Sequence, residues 1–354
     1  MSYTKEFSSA PLLLLRSDAG PRIGMGHVMR GLGLAQKWQE MGGRAALLMG
    51  ACNGPVEARF RREMVPVYVL NTEPGSHSDA AATAGEATRL GASWILADGY
   101  GFGTSWLAKV GQTGIPLGLW TDYLQATRLP VTLLLNQNPH ACRSDYSEAA
   151  SGATLLLGLR YAVLRREFRK FPNCTSIKGS RGIRRVLVTL GGSDPTNTTR
   201  NVLQSFALMG QSAPLATVVA GPNNSHLQEL RELAAGLPSV KLLHAVEDMP
   251  ALMDSCDLAI SAGGATLWEL AYLGVPALAT ILADNQVPLA AAISVSGAGI
   301  DLGWGHSLDP RRVADVLKIL MSSPSRVTDM SSAALTLVDG QGAERVCNAL
   351  LEHL

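Results

Sequence analysis

A glycine-rich loop that ends in a histidine is the first feature of the sequence able to perform chemistry. Residues 16–30 follow an apolar run and contain Gly24, Gly26 and His27 ahead of a helical pattern. Such a strand-to-helix turn exposes backbone N–H groups, which favour an anion or a polarised substrate. Near the positive end of a helix dipole the neutral imidazole is favoured, and it can accept a proton. His27 is therefore a candidate general base, with a hydrogen bond inside the loop as the alternative.

The other polar groups of this loop allow two roles. Arg16 and Asp18 lie at its start, and Arg30 follows one helical turn after His27. Each of these side chains could orient a substrate, as could the backbone of Gly26. Each could equally stabilise the loop through hydrogen bonds, and the spacing does not choose between the two roles.

A second glycine turn, in the C-terminal half, suits a diphosphate. Ser261, Gly263, Gly264 and Thr266 connect a predicted strand to a predicted helix, so their amides form a nest of donors. Glu269 lies one turn inside that helix, where a carboxylate can accept hydrogen bonds from both ribose hydroxyls. The alternative for Glu269 is a solvated helix acid near the positive end of the dipole.

Two further loops give weaker signals. Gly191, Gly192 and Ser193 follow another predicted strand, and their amides could approach a phosphate or sugar, although an ordinary turn explains them equally well. Asp284 and Asn285 follow the next predicted strand after the Ser261 loop. Asn285 could contact sugar or nucleotide, whereas Asp284 could simply cap a helix.

Several common enzyme motifs are absent from the sequence. A dinucleotide fingerprint fails because its third glycine position is Met29, and no ribose-binding acid follows the second predicted strand. There is no Walker loop and no Gly-x-Ser-x-Gly elbow. The 7 histidines show no metal-binding spacing, so neither a metal nor a cofactor is predicted.

Short apolar strands alternate with helical stretches along the whole chain. Continuous apolar strands such as Leu12–Leu15 and Val186–Leu190 indicate parallel sheets covered by helices on both faces. The pattern predicts an α/β protein with two doubly wound domains facing a cleft, at residues 1–165 and 186–354. A basic stretch without apolar periodicity, residues 166–185, is the predicted linker.

Composition narrows the functional class further. The 354 residues carry a formal net charge of +1, which argues against nucleic-acid binding. No apolar run is long enough for membrane insertion, and the 5 scattered cysteines suit free thiols in the cytoplasm. Charge balance gives no reason to expect a protein partner, so a monomer is plausible.

These motifs together resemble the UDP-2,4-diacetamido-2,4,6-trideoxy-β-L-altropyranose hydrolases of pseudaminic acid biosynthesis. The Gly-His-Val-Met-Arg block at 26–30 and the Tyr-Ala-Val-Leu-Arg block at 161–165 carry the resemblance. It implies the glycosyltransferase-B architecture of two Rossmann-like domains. One departure is the pair Thr121 and Asp122, where two acids are usual, which leaves open whether Asp122 acts in the site.

The resemblance also implies roles for individual residues. His27 would be the catalytic base, Tyr100 and Asn285 would position the substrate, and Gly264 and Glu269 would contact the nucleotide. Water would attack C1 of the sugar with inversion and C–O cleavage, expelling UDP. Because UDP is a good leaving group, the paired carboxylates of a typical glycosidase are not required.

Three alternatives remain on the same fold. A glycosyltransferase would pass an N-acetylated sugar from UDP to an alcohol, and residues 57–66 offer a basic, apolar segment for a membrane-bound acceptor. A solvated helix explains that segment better. A UDP-sugar 2-epimerase and a non-catalytic nucleotide-sugar binder are the other two, and the binder would not require His27.

Overall fold

The computed structural model describes residues 10–20, 23–124, 126–171, 177–246 and 248–354. Contacts divide the chain into two compact units. The first comprises Met1–Arg166 together with Gly340–Leu354, and the second comprises Glu167–Asp339.

The first unit is built on a seven-stranded parallel sheet with the order β3-β2-β1-β4-β5-β6-β7. Its strands are β1 (Leu12–Ser17), β2 (Arg44–Met49), β3 (Val67–Val69), β4 (Trp94–Asp98), β5 (Leu117–Trp120), β6 (Leu133–Asn136) and β7 (Thr154–Leu157). Its first helices are α1 (Gly26–Glu40), α2 (Gly54–Arg62), α3 (His77–Leu90), α4 (Thr104–Gly111) and α5 (Arg143–Tyr146).

Strand β1 shows why this sheet is covered on both faces. Leu13 and Leu15 pack in one core cluster with residues of α1, whereas Leu12 and Leu14 pack in another with residues of α3 and α4. Successive side chains of a strand point to opposite faces, so a strand of consecutive leucines needs apolar cover on each side.

The second unit repeats the arrangement with a six-stranded parallel sheet of order β10-β9-β8-β11-β12-β13. Its strands are β8 (Arg185–Thr189), β9 (Leu215–Ala220), β10 (Val240–His244), β11 (Leu258–Ala262), β12 (Ala277–Ile281) and β13 (Gly299–Trp304). Its helices are α6 (Thr198–Met209), α7 (Leu227–Ala235), α8 (Met249–Asp254), α9 (Thr266–Tyr272), α10 (Val287–Val295), α11 (Pro310–Met321) and α12 (Pro324–Leu335).

Helix α13 (Gly342–Leu351) returns the end of the chain to the first unit. Val346 and Leu350 belong to the α1-side core, and Trp94 Nε1 donates a hydrogen bond of 2.9 Å to the Leu350 carbonyl oxygen. Gly342 lies so close to Ala162 that a Cβ would overlap its carbonyl oxygen. The structure thus differs from the expected domain 186–354, since residues 340–354 pack on the first sheet.

The doubly wound α/β fold predicted from the sequence is confirmed for both units. Strands β7 and β13 were not predicted from the sequence; both are edge strands with partly exposed side chains. Of the predicted linker, residues 172–176 lie outside the described residues. Within the described parts of the chain, no helix is long and apolar enough to cross a membrane.

Candidate functional site

Strands β1 and β4 are neighbours in space, and the connections that follow them turn to opposite sides of the sheet. Ser17 of β1 pairs with Asp98 of β4, and Asp98 pairs in turn with Trp120 of β5. Ligands of doubly wound sheets bind at the carboxyl ends of the strands at this reversal of strand order. The glycine-rich loop with His27 follows β1 and therefore lies beside the end of β4.

The His27 ring is buried against a carboxylate. Nδ1 of His27 lies 2.6 Å from Oδ1 of Asp98, and it also lies 3.1 Å from a terminal nitrogen of Arg30. His27 is the second residue of α1, so the helix start fixes its backbone beside the β4 end. Within the described part of the chain, Nε2 of His27 has no hydrogen-bond partner.

Arg30 joins two carboxylates. Its Nε and one terminal nitrogen donate to Asp98 at 2.7 and 2.6 Å, and the other terminal nitrogen donates to Oδ1 of Asp122 at 2.8 Å. The guanidinium also lies 4.7 Å from the centre of the Trp120 ring. A planar guanidinium bonded on both edges is held in one orientation, so it fixes the spacing of the two acids.

Tyr100 and Asn138 complete this cluster. The Tyr100 hydroxyl donates to Oδ2 of Asp122 at 2.9 Å, and Asn138 Nδ2 donates to Oδ1 of the same acid at 2.9 Å. The Tyr100 ring meets the His27 ring edge-on at 4.8 Å and stacks on Tyr123 at 5.4 Å. Tyr100 and Tyr123 are 39% and 45% exposed, so this aromatic pair forms the outer part of the cluster.

Both acids of the cluster are held ionised. Burial is the largest single influence and raises the pKa of Asp98 and of Asp122, but Arg30, the neighbouring His27 and the hydrogen bonds to the two acids together outweigh it and lower both pKa values below the usual aspartate range. Burial and the Asp122 carboxylate raise the pKa of Tyr100, so its hydroxyl keeps the proton it donates. The two carboxylates and one guanidinium leave the cluster one negative charge in excess when His27 is neutral.

Arg16 and Asp18 lie in a separate network that stabilises the loop. Arg16 is fully buried and donates to Asp18 at 2.6 Å and to Asp79 at 3.0 Å, while Asp18 accepts from the Gly50 amide at 2.7 Å. These bonds tie the ends of β1 and β2 to helix α3. The geometry favours the loop-stabilising alternative over substrate contact for both residues.

The start of α1 is open around Gly26. Gly26 is exposed, and a Cβ placed on it would meet nothing within 4 Å. The preceding loop is closed by paired backbone bonds between Gly20 and Gly24, of 3.2 and 2.7 Å. Gly24 has φ +76°, a left-handed conformation that explains a glycine there.

In the second unit, the loop after β8 is closed upon itself. Asp194 accepts hydrogen bonds from the amides of Thr198 and Thr199, at 2.9 Å each, and so caps helix α6. This places Gly191, Gly192 and Ser193 beside a buried carboxylate, which opposes a phosphate at this helix end. A Cβ on Gly221 would overlap the Gly191 and Gly192 carbonyl oxygens, so the loop also packs tightly against Gly221.

The loop after β11 is more open to a ligand. The amides of Gly264, Ala265 and Thr266 donate no hydrogen bond within the described part of the chain, and these three residues are partly exposed. By contrast, Ser261 is buried and donates to the Ala262 carbonyl oxygen at 3.2 Å. Unpaired amides at the start of a helix suit an anionic ligand.

Residues from the next strand end pack against this loop. Gln286 accepts from the Leu282 amide at 2.9 Å, and a Cβ on Gly263 would lie 3.2 Å from Gln286 Cβ. The short helical turn Asp284–Gln286 therefore brings the partly exposed Asn285 to the side of the glycine loop. Glu269 lies in the first turn of α9 and is partly exposed.

Sequence reasoning missed the carboxylate that contacts His27. Asp98 closes β4, and its separation of 71 residues from His27 gives no local pattern. The available signal was an acid at the carboxyl end of a short apolar strand. Asp122, whose role was left open, and Asn138 are recruited in the same way from later strand ends.

Comparison with known proteins agrees with this architecture. Residues 185–346 match the model of the Glycosyltransferase family 28 C-terminal domain. The chain is 31% identical over 199 residues to the spore coat polysaccharide biosynthesis protein SpsG of Bacillus subtilis (strain 168), a match covering 56% of this chain and 58% of SpsG. The chain thus spans only 40% to 58% of the length of the first curated relatives it matches.

Two further matches extend over most of the chain. It is 23% identical over 293 residues to the UDP-2,4-diacetamido-2,4,6-trideoxy-beta-L-altropyranose hydrolase of Campylobacter jejuni subsp. jejuni serotype O:2, covering 82% of this chain and 98% of that protein. The crystal structure of Acinetobacter baumannii MurG superposes with a TM-score of 0.66 at 16% identity, covering 97% of this chain and all of that one. The chain has the glycosyltransferase-B fold, with two Rossmann-like domains.

Proposed function

We propose that this protein hydrolyses UDP-2,4-diacetamido-2,4,6-trideoxy-β-L-altropyranose to the free sugar and UDP, as a step of pseudaminic acid biosynthesis. The observation that carries the proposal is the buried contact between His27 Nδ1 and Asp98, which leaves Nε2 without a hydrogen-bond partner among the residues that the structure describes. The match to the Campylobacter jejuni hydrolase along nearly the whole of that protein supports the choice of substrate.

The reaction needs a base more than it needs an acid. Nε2 of His27 would take a proton from water as the water oxygen attacks C1, and the C1–O bond would break with its electron pair moving to the diphosphate. Direct displacement inverts the configuration at C1. Because UDP leaves as a stabilised anion, no carboxylic acid has to protonate it. Tyr100, beside His27 and partly exposed, is the proposed sugar contact in the first unit.

The second unit is the proposed nucleotide-binding unit. The amides of Gly264, Ala265 and Thr266 are the proposed diphosphate contacts, and Glu269 is the proposed ribose contact. Asn285 would approach the sugar from the adjoining turn. Donors fixed in the backbone need no reorganisation as negative charge develops on the leaving group, so they stabilise the transition state efficiently.

A glycosyltransferase is the second candidate, because residues 185–346 match the Glycosyltransferase family 28 C-terminal domain. Such an enzyme needs an acceptor site near its base. A cavity of about 340 Å³ is lined by Glu57, Arg61 and residues 64–67. It lies at the amino end of the edge strand β3, away from the strand ends beside His27 and Asp98, so it does not supply an acceptor site next to His27.

The test is proton NMR of the protein with the UDP-sugar in ¹⁸O-labelled water, without any acceptor. We expect free sugar with inverted anomeric configuration and ¹⁸O at C1. Label on the phosphate would contradict attack at C1. Absence of turnover, with release restored by an alcohol acceptor, would replace the hydrolase with a transferase. Epimerisation at C2 while UDP stays attached would replace it with an epimerase.

A further inference from the structure

We propose that Asp98 is a positioning residue that sets the tautomer of His27, with the proton on Nδ1 and the lone pair on Nε2. No contact of Asp98 with a substrate is required, because it would act through the imidazole. The catalytic consequence of this tautomer rests on the proposed hydrolase function, whereas the tautomer itself can be measured on the protein alone.

The length of one contact decides where the proton lies. Nδ1 of His27 and Oδ1 of Asp98 are 2.6 Å apart, which is a charge-assisted hydrogen-bond distance and requires a proton between the two atoms. The carboxylate has none to give, since two hydrogen bonds from the positively charged Arg30, of 2.7 and 2.6 Å, favour its ionised form. The imidazole must therefore be the donor, and a neutral ring with Nδ1 protonated has its lone pair on Nε2.

Arg30 does not compete for Nδ1. Its terminal nitrogen lies 3.1 Å from Nδ1 but only 2.6 Å from Oδ1 of Asp98, so its proton is directed to the carboxylate. Guanidinium has no acceptor, so if its proton went to Nδ1 the short Asp98 contact would join two lone pairs. Asp122 holds the far edge of Arg30 at 2.8 Å and so keeps the guanidinium in the plane that serves Asp98.

The charged groups around the His27 ring do not balance when the imidazole is neutral. The charged groups around the ring are Asp98 from β4, Arg30 from α1 and Asp122 from the loop after β5, with Tyr100 as a neutral neighbour. Their sum is one negative charge, and an imidazolium makes it zero. Proton uptake at Nε2 from the attacking water therefore removes an unbalanced buried charge instead of creating one.

The test is a long-range ¹H–¹⁵N spectrum of ¹⁵N-histidine-labelled protein at about pH 8, above the ordinary histidine pKa of about 6.5. We expect the full-length protein to show His27 with Nδ1 protonated and Nε2 unprotonated. Asp98→Asn should populate the opposite tautomer, because its amide can donate to Nδ1. It should also lower kcat about 10²- to 10⁴-fold with little change in KM.

Two matched variants separate positioning from a general structural effect. Asp98→Glu keeps the charge, so it should keep the tautomer and restore part of kcat. Asp122→Asn changes another carboxylate that contacts Arg30, and it also alters the contact with Tyr100. Because Asp98 stays in place, the His27 tautomer should not change. If Asp98→Asn does not fold, the spectra of the unaltered protein and of Asp98→Glu still show which His27 nitrogen carries the proton.

Each outcome bears on one proposal. Nε2 protonated in the unaltered protein, or an unchanged tautomer in folded Asp98→Asn, would overturn the role of Asp98. The expected tautomers in a protein that releases no sugar would leave that role standing and remove the hydrolase function. Sugar release by a protein in which Nε2 of His27 is protonated would overturn the role of Asp98 and leave the hydrolase function standing.

Discussion

The two sheets share a strand order over six strands. The loops at the reversal of that order nevertheless carry different chemical groups in the two units. In the first unit, charged side chains from α1, β4 and the loop after β5 converge on His27. In the second unit, the corresponding loops are rich in glycine, and the amides of Gly264 to Thr266 donate to no other residue that the structure describes. One topology thus supports a cluster suited to proton transfer in one unit and a backbone surface suited to an anion in the other.

The difference follows from what each task demands. A base must be oriented to within a fraction of an ångström, so its neighbours are themselves fixed, as Arg30 fixes Asp98. An anion is recognised by donors that any residue can supply from its backbone, provided that no side chain blocks the approach. Substitutions in the first cluster should therefore reduce kcat, and those in the second loop should reduce affinity.

The largest effect is expected at His27. Replacement by asparagine removes the proposed base while filling similar space, so kcat should fall about 10³-fold or more, and UDP affinity should not change. Steady-state rates and calorimetric titration with UDP measure the two quantities. His77→Asn is the matched control, because His77 begins helix α3 in the same unit and is exposed, and it should retain full turnover. Weakened UDP binding in His27→Asn would contradict the proposal that the first unit supplies the base and the second unit binds the nucleotide.

The next effect is expected at Glu269 and should have the opposite kinetic signature. Glu269→Ala removes the proposed ribose contact, which is present in ground and transition states alike, so KM should rise about 10- to 100-fold while kcat stays near its original value. The same titration with UDP should show the loss directly. Glu232→Ala, an exposed helix glutamate of the same unit, is the control. An unchanged UDP affinity in Glu269→Ala would exclude the ribose contact.

Low pH should lower the stability of the first unit, because its buried aspartates become protonated. The pKa values of Asp98 and Asp122 are lowered in the folded state, because Arg30, His27 and the hydrogen bonds to the two acids together outweigh the effect of burial. Their stabilisation is therefore complete above the unfolded aspartate pKa of about 3.9 and is lost as pH falls through the lower folded values. We expect a loss on the order of 2 kcal/mol below about pH 4.

Hydrogen exchange during acid titration can assign that loss to a unit. Amides of β4 and α1 should lose protection before those of β8 and β11. In Asp122→Asn the dependence on pH should be shallower, because one of the two titrating groups is gone. Earlier loss of protection in the second unit would mean that the Arg30 cluster does not set the acid limit.

Most of the fold was predictable because its signals are local. The leucine run of β1 is recognisable within a few residues, whereas β7 and β13 lack continuous burial. In the candidate site, the position of His27 at the start of a helix was predictable from its loop. Asp98 was not, because its contact depends on β4 packing beside β1. Arg16 shared the loop but faces the interior, and spacing alone does not give that direction.

The smallest effect is expected in the loop after β8, where Asp194 caps helix α6. Asp194 is buried and accepts three hydrogen bonds at the start of α6, including 2.6 Å from the Thr199 hydroxyl, whereas Asp309 caps α11 from an exposed position with 2.8 Å to the Arg311 amide. Asp194→Ala should lower the free energy of unfolding by about 1 to 2 kcal/mol and Asp309→Ala by about 0.5 to 1 kcal/mol. Urea unfolding measures both.

The same variant sharpens the comparison between the two loops of the second unit. If the diphosphate contacts the α9 amides, removal of the Asp194 carboxylate changes stability but not UDP affinity by more than about twofold. A tenfold gain in UDP affinity would mean instead that the α6 amides of Thr198 and Thr199, once freed, form the stronger anion site. The glycines at 191 and 192 would then replace Gly264 as the principal phosphate contacts.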